Sequence, residues 1–244
     1  MSNIPLVTAV MVTGKDPERA PYALAAVQSF LSQTWPNKEL VIINDGKVPL
    51  LPFLSTSLPP GTDIRESTFP SGAYTLGDLR NKGLEKADGE WVIQWDDDDW
   101  YHPWRIAMQM DEAVDDHAVL LKCQVRYSFP NDSAKAFRWP YKPNPAIPGT
   151  VLHPNKPGLA YRSERKAEDD HFLQDHFKDK MIVLDNAANP HLYLRFFTGH
   201  NTWDHFHVMG LHANPDHKGR WTLPEESSDY LRTVIDTHYK FAVS

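Results

Sequence analysis

The 244-residue chain contains a single cysteine, Cys123, so neither an intramolecular disulfide nor a cysteine-based zinc cluster can form. No apolar run approaches the ~18 residues that span a bilayer, and no basic segment followed by an apolar stretch opens the chain. Membrane insertion and secretion are therefore not expected, and the cytoplasm is the expected compartment. Positive charge is not in excess either: 25 Lys plus Arg stand against 32 Asp plus Glu, a formal charge of −7. That balance argues against broad nonspecific binding to nucleic acid. Repeats of solenoid length and low-complexity tracts are missing too. What the chain does have is 41% apolar residues, enough to build a core and offset chain entropy.

The apolar residues fall into short runs. Leu6 to Val12, closed by Thr13-Gly14, predicts a buried strand. Leu24, Val27 and Leu31 keep helical spacing until Trp35-Pro36 stops the helix. Glu39 to Ile43 predicts a second strand, ending at Asn44-Asp45-Gly46, and residues 47 to 62, with four prolines, predict irregular structure. A helix over Leu76 to Ala87 precedes a strand over Trp91 to Trp95. A helix over Trp104 to Val114 precedes a strand or hairpin arm over Val119 to Phe129. Seven prolines between Pro130 and Pro157 predict a long functional loop. A helix over Ala167 to Phe177, strands over Met181 to Leu184 and Leu192 to Phe197, and a helix within Tyr230 to Phe241 complete the pattern. Strands alternating with helices predict an α/β sheet, whose ligands gather at the carboxyl ends of the strands.

Two carboxylate features fall at such ends. Asp45 closes the second strand, and Asp96-Asp97-Asp98-Asp99 follows Trp95 directly. Four adjacent carboxylates repel one another unless a cation or hydrogen-bond donors compensate. If the extended geometry continues, Asp96 and Asp98 project to one side and Asp97 and Asp99 to the other. Oxygen-only ligation suits Mg²⁺ or Mn²⁺ bridging to a phosphate. Glu168-Asp169-Asp170 opens a predicted helix, and Phe172, Leu173 and His176 continue the face that Asp169 begins.

The stretches VTAVMVTGKD, QTWPNKELVIINDG, LRNKGLEKADGEWVIQWDDDDWYHPWRI, PGTVL, AEDDHFL and YLRFFTGHNTW, in this order, resemble the motifs of family 2 glycosyltransferases with the GT-A fold. The resemblance covers roughly residues 4 to 205. It implies an α/β/α sandwich around a mixed, mostly parallel sheet. Beyond the resemblance, residues 211–244 carry no recognisable motif, and the helix expected in their last part would pack on the body or on another subunit. The resemblance implies that residues 1–210 form one catalytic domain, with a nucleotide-sugar half (about 1–115) and an acceptor half (116–210). It also implies sugar transfer from a nucleotide-sugar with inversion at the anomeric carbon, assisted by Mn²⁺ or Mg²⁺.

Residue by residue, the resemblance sets Asp45 at the nucleotide base, where a carboxylate can accept from a uracil ring N–H, and makes UDP the favoured nucleotide. Thr13, Arg80, Asp96 and Asp97 join it in nucleotide-sugar binding. Asp98, Asp99 and His200 are the metal candidates, with His205 and His207 as alternatives to His200. Asp169 resembles the general base, with Asp170 its rival. Trp203 departs from the small residue commoner in that segment. Gly149-Thr150 resembles a turn near the acceptor.

One feature stands apart from the resemblance. Residues 122 to 166 carry nine Lys or Arg and two acids, a local +7, interleaved with Tyr127, Phe129, Phe137, Trp139, Tyr141 and Tyr161. Basic groups among aromatics suit an anionic acceptor, a phosphorylated glycan or polymer or a nucleic acid, with Arg138, Trp139 and Lys142 as candidate contacts. Two other classes stay open at this point. One is nucleotidyl transfer on a related fold, for which Thr13-Gly14-Lys15-Asp16 is a thin phosphate loop. The other is a non-catalytic carbohydrate- or nucleic-acid-binding protein.

Overall fold

The computed structural model describes residues 4–14, 17–46, 48–54, 58, 61–140, 142–201, 205 and 219–243. Among these the chain runs β1 (Val7–Thr13), a 3-10 turn (Pro17–Arg19), α1 (Ala20–Leu31), β2 (Lys38–Asn44), α2 (Leu51–Leu54), β3 (Ile64–Thr68) and α3 (Leu76–Leu84). It continues with β4 (Trp91–Asp96), β5 (Trp100–Tyr101), α4 (Arg105–Asp111), β6 (Ala118–Leu121), β7 (Cys123–Ser128), β8 (Ser133–Arg138) and β9 (Leu152–Pro154). The last elements are α5 (Glu168–His176), β10 (Met181–Leu184), β11 (Tyr193–Phe197), β12 (Arg220–Trp221) and α6 (Glu225–His238).

Seven strands form a mixed sheet in the order β10-β6-β9-β4-β1-β2-β3. β1 lies between β2 and β4, parallel to both, with Thr13 opposite Asn44 and Val12 opposite Asp96. Three carboxyl ends therefore share one edge. β3 continues the parallel set beside β2 and β10 runs parallel to β6, while β9 is antiparallel to β4 and β6. A second sheet, β12-β8-β7-β11-β5, stands against the first.

β1 and β2 read as unbroken apolar runs because they are covered on both faces. Gly83 of α3 sits so close to β1 that a Cβ there would lie 2.2 Å from Val10 Cγ1, so any larger residue would push the helix off the sheet. Trp95 is fully buried, donates its indole N–H to Ala26 O at 3.0 Å, and meets Phe30 edge-on. It fixes the end of β4, and hence the aspartates, against α1. A second core joins Leu231, Val234 and Ile235 of α6 to Trp100, Val125 and Phe196, so α6 packs on the body.

The mixed α/β sheet matches the expected fold class, and several local expectations change. The run from Val119 to Phe129 is two strands in two sheets, broken at Lys122. The proline-rich stretch is not one loop: β8 and β9 lie inside it, and Pro140, Pro143, Pro145 and Pro148 fall between them. β3 was not expected because its IREST sequence is polar, which suits the edge of the sheet. Helices α3 and α4 are shorter than predicted, and α6 begins earlier.

Candidate active site

The four aspartates do not prolong their strand. β4 stops at Asp96 and the chain turns at Asp97 and Asp98, so the expected alternation fails and the four carboxylates meet different sets of partners, Asp97 and Asp98 sharing one. Asp96 Oδ1 accepts from Arg80 and from Gln94 Nε2, both at 3.1 Å. Asp97 is ion-paired with Arg19. Asp98 Oδ2 lies 3.1 Å from the same guanidinium and accepts from Asn201 Nδ2 at 2.8 Å. Asp99 faces the second sheet, where Tyr193 O–H and the Phe196 N–H occupy its two oxygens. Burial raises the Asp98 and Asp99 carboxyls above the usual range, Asp99 the more strongly, with neighbouring aspartates adding to the effect. At Asp98 the Arg19 guanidinium opposes the rise.

α5 delivers the other acids. Ala167, immediately before it, adopts φ 61°, a left-handed conformation that costs a non-glycine residue about 1 kcal/mol and recurs at functional sites. The turn sends Glu168 inward, where it accepts from Arg80 Nε at 2.9 Å, both side chains buried. Burial works against the Arg80 charge, yet Asp96 and Glu168 hold it firmly protonated. Among the described residues, Asp169 has no basic partner at bonding distance. Its carboxyl is pushed up to about 7, first by burial and then by Glu168 and Asp170. The Asp170 N–H donates to Asp169 Oδ1 at 2.9 Å, while the Asp170 carboxylate accepts from Asn144 Nδ2 at 2.6 Å.

Two cavities meet here. The first is lined by Asp96 to Asp99, Arg19, Arg80, Arg165, Lys166 and Asn201. The second is lined by Arg126, Trp139, Lys142, Asn144, His171 and Gln174. Asp96, Ala167, Asp169 and Arg195 belong to both. At their junction a Cβ on Gly149 would lie 3.3 Å from Asp96 Oδ2 and 3.7 Å from Asp169 Oδ2, so the absent side chain keeps the passage open. Burial disfavours the Arg195 charge, but Tyr193, Asp99 and Asp96 outweigh it. It stands as a cation where the cavities join.

The remaining candidates lie around this centre. Thr13 and Asp45 are buried at the ends of neighbouring strands, and the Asp45 N–H donates to Thr13 O at 2.7 Å. Asp45 Oδ1 accepts from the Gly72 N–H at 2.8 Å; neither residue lines the two cavities. His200 turns its ring to Glu18, Nε2 to Oε2 3.1 Å, and its neighbour Asn201 donates to Asp98. His205 lies against Asn131 and Phe197. Lys15, Asp16, Tyr141, Trp203 and His207 lie outside the described residues.

The basic segment is dispersed. Arg138, Lys156 and Arg162 pair with Asp185, Asp116 and Asp175, acids outside residues 122 to 166. Arg138 thus faces away from Trp139 and Lys142, which line the second cavity, while Arg165 and Lys166 serve the first. Tyr127 and Phe129 belong to the second core, and Tyr161 stacks on Phe172 at 4.2 Å; of the five described aromatics, Trp139 lines the cavity. Arg19, Gln94, Arg126, Asn144, Glu168, Arg195 and Asn201 carry no role in the sequence reading. Gln94, Glu168, Arg195 and Asn201 do fall inside the stretches that carry the resemblance, a signal that could have found them.

The family model described as glycosyl transferase family 2 matches residues 13–189. EpsH of Bacillus subtilis is 32% identical over 108 residues, 44% of this chain and 31% of that protein. YibD of Escherichia coli is 28% identical over 107 residues, 42% of this chain and 30% of that protein. Both carry glycosyltransferase names, and the chain spans about a third of their length. Among solved structures, S. aureus TarS 1-349 in complex with UDP-GlcNAc superposes with a TM-score of 0.60 at 17% identity, covering 94% of this chain and 65% of that one. The mannosyltransferase PcManGT from Pyrobaculum calidifontis, in complex with GDP-Man and Mn²⁺, gives 0.56 at 14% identity, covering 80% and 57%. At such identities the likeness is one of fold.

Proposed function

The chain belongs to glycosyl transferase family 2, and from that premise we propose that it transfers a sugar from a UDP-sugar to an acceptor hydroxyl, with inversion and with a divalent cation. The observation that carries this reading is the meeting of Asp96 and Asp169 at the junction of two cavities, one rich in charged groups and one carrying Trp139, Asn144 and Gln174. Residues 1–115 would supply most of the donor side and 116–210 the acceptor side.

The first cavity takes the donor. Asp45, Thr13 and Arg80 serve the nucleotide side, with Asp45 accepting from the uracil ring N–H. Arg165, Lys166 and Arg195 offset the diphosphate charge. TarS, bound to UDP-GlcNAc, and PcManGT, bound to GDP-Man and Mn²⁺, share the fold, which supports this assignment. The oxygen-only donor set of Asp96 and Asp98 fits a hard ion such as Mn²⁺ or Mg²⁺, which these two carboxylates would hold together with the donor. Among the described residues no three His, Cys, Asp or Glu side chains converge to hold an ion alone. Held there with the donor, such an ion would supply charge neutralisation at the leaving diphosphate. Asp99, whose oxygens are engaged by the second sheet, anchors β11 in this scheme.

The second cavity takes the acceptor. Asp169 accepts the hydroxyl proton as that oxygen attacks the anomeric carbon, and the bond to the diphosphate breaks on the opposite face. A carboxyl raised to about 7 is matched to this proton transfer near neutral pH. Asp170, tied by Asn144, orients it. Lys142 and Arg126 favour an acceptor with an anionic group. The buried thiol of Cys123 suits a reducing compartment such as the cytoplasm.

The test is a screen of UDP- and GDP-sugars for nucleoside diphosphate release, with and without Mn²⁺. Mn²⁺-dependent UDP release that disappears in Asp98→Ala is the expected result. Absence of both binding and release for every donor would overturn the reading.

A further inference from the structure

The acids of the first cavity already hold a cation of the protein's own. Arg19 sits at the end of the 3-10 turn after β1, 78 residues from Asp97, with Nε 3.3 Å from Asp97 Oδ2. Its second nitrogen pairs with the other Asp97 oxygen and lies 3.1 Å from Asp98 Oδ2. Its third donates to His200 O at 2.7 Å. Asn201 Nδ2 donates to the same Asp98 oxygen at 2.8 Å. The side chains of Arg19 and Asp98 are 16% and 13% exposed, so water screens this pair far less than a surface pair.

We propose that Arg19 is a positioning residue that keeps Asp98 neutralised in the donor-free enzyme and yields that carboxylate to a divalent cation when a diphosphate takes over its guanidinium. The proposal rests on the reading of the first cavity as a nucleotide-sugar site. An oxygen shared by a guanidinium and an amide has little left to offer an ion, and an ion placed there would adjoin a positive charge. A diphosphate supplies the planar guanidinium with oxygens for paired hydrogen bonds. With Arg19 turned to the phosphates, Asp98 regains its affinity for the ion. Metal and nucleotide then bind cooperatively, and metal alone binds weakly.

The experiment titrates Mn²⁺ alone, then Mn²⁺ with UDP, into the full chain, reading free Mn²⁺ by electron paramagnetic resonance. Arg19→Gln is expected to bind Mn²⁺ alone at least about tenfold more tightly than wild type, and Arg19→Lys, which keeps the charge, to stay close to wild type. UDP is expected to tighten Mn²⁺ binding at least about tenfold in wild type, within the usual span of coupling between sites, and much less in Arg19→Gln. Adding Asp98→Asn to Arg19→Gln should remove the gain. An Arg19→Gln affinity for Mn²⁺ equal to or below wild type, or a gain that survives Asp98→Asn, overturns the proposal. The wild type decides even if Arg19→Gln fails to fold, since Mn²⁺ and UDP binding independently of each other has the same consequence. Failure of the donor reading looks different: UDP would not bind at all, while the Mn²⁺ affinities in its absence would still separate the variants.

Discussion

Replacing Asp169 by Asn is expected to cut turnover steeply and to stabilise the fold, and the pH dependence of the second effect follows from the site. In the unfolded chain this carboxyl ionises near 3.8, whereas in the folded protein burial, Glu168 and Asp170 hold it back to about 7. Between those values the native state keeps a proton that the unfolded state has lost, so stability falls as pH rises. At about 1.36 kcal/mol per tenfold change in proton affinity, the ceiling on this cost above pH 7 is about 4 kcal/mol. Asp169 borders an open cleft, and solvent screening reduces the observable part to about 1–2 kcal/mol. Asn keeps the shape without the charge. For a chain of this size the melting temperature should rise by about 2–8 °C at pH 8, with the advantage shrinking as pH falls toward 4. Scanning calorimetry of the metal-free protein across that range measures it. Activity should move the other way: wild-type kcat/KM should climb through about pH 7 and then level, while Asp169→Asn should keep donor affinity and lose about 10²–10⁴ in kcat. Near-normal turnover in Asp169→Asn, with an inactive Asp170→Asn, would move the base by one residue. A stability difference that does not grow with pH would refute the electrostatic account.

Asp98→Ala should lose Mn²⁺-dependent UDP binding in calorimetric titration with its melting temperature unchanged or higher, because one member of a repelling cluster is gone while Arg19 keeps Asp97. Gly149→Ala should fold normally yet lose at least about tenfold in kcat, since its methyl would crowd Asp96 and Gln94 at 3.3 Å and misplacement near reacting groups is costly. Lys142→Glu should raise acceptor KM severalfold and weaken its dependence on salt, whereas Arg138→Glu, an exposed partner of Asp185, should leave acceptor KM within error. Equal effects of the two substitutions would mean that the second cavity does not recognise acceptor charge.

The sequence made legible those parts of the site whose chain neighbours are also their neighbours in space. Asp45 and Asp96 end apolar strands, and the register of β1 with β2 and β4 carries both to the same edge of the sheet. Asp169 opens a helix whose apolar residues turn it inward. Other parts had no such mark. The pairing of Arg19 with Asp97 spans 78 residues and its bond to His200 spans 181, distances at which a lone arginine beside a turn leaves no periodic trace. The basic segment was legible only in part, for the complementary reason. A net +7 counts residues within a window, whereas Asp116, Asp175 and Asp185 reach in from outside it and cancel charge that only the fold brings together. Proline content misled in the same way: it marked the turns between β8 and β9 and hid the strands they join. What the fold adds is thus mainly the pairing of opposite charges. That pairing decides which cations face the cavities, Lys142 and Arg195 among them, and which, like Arg138, are held at the surface.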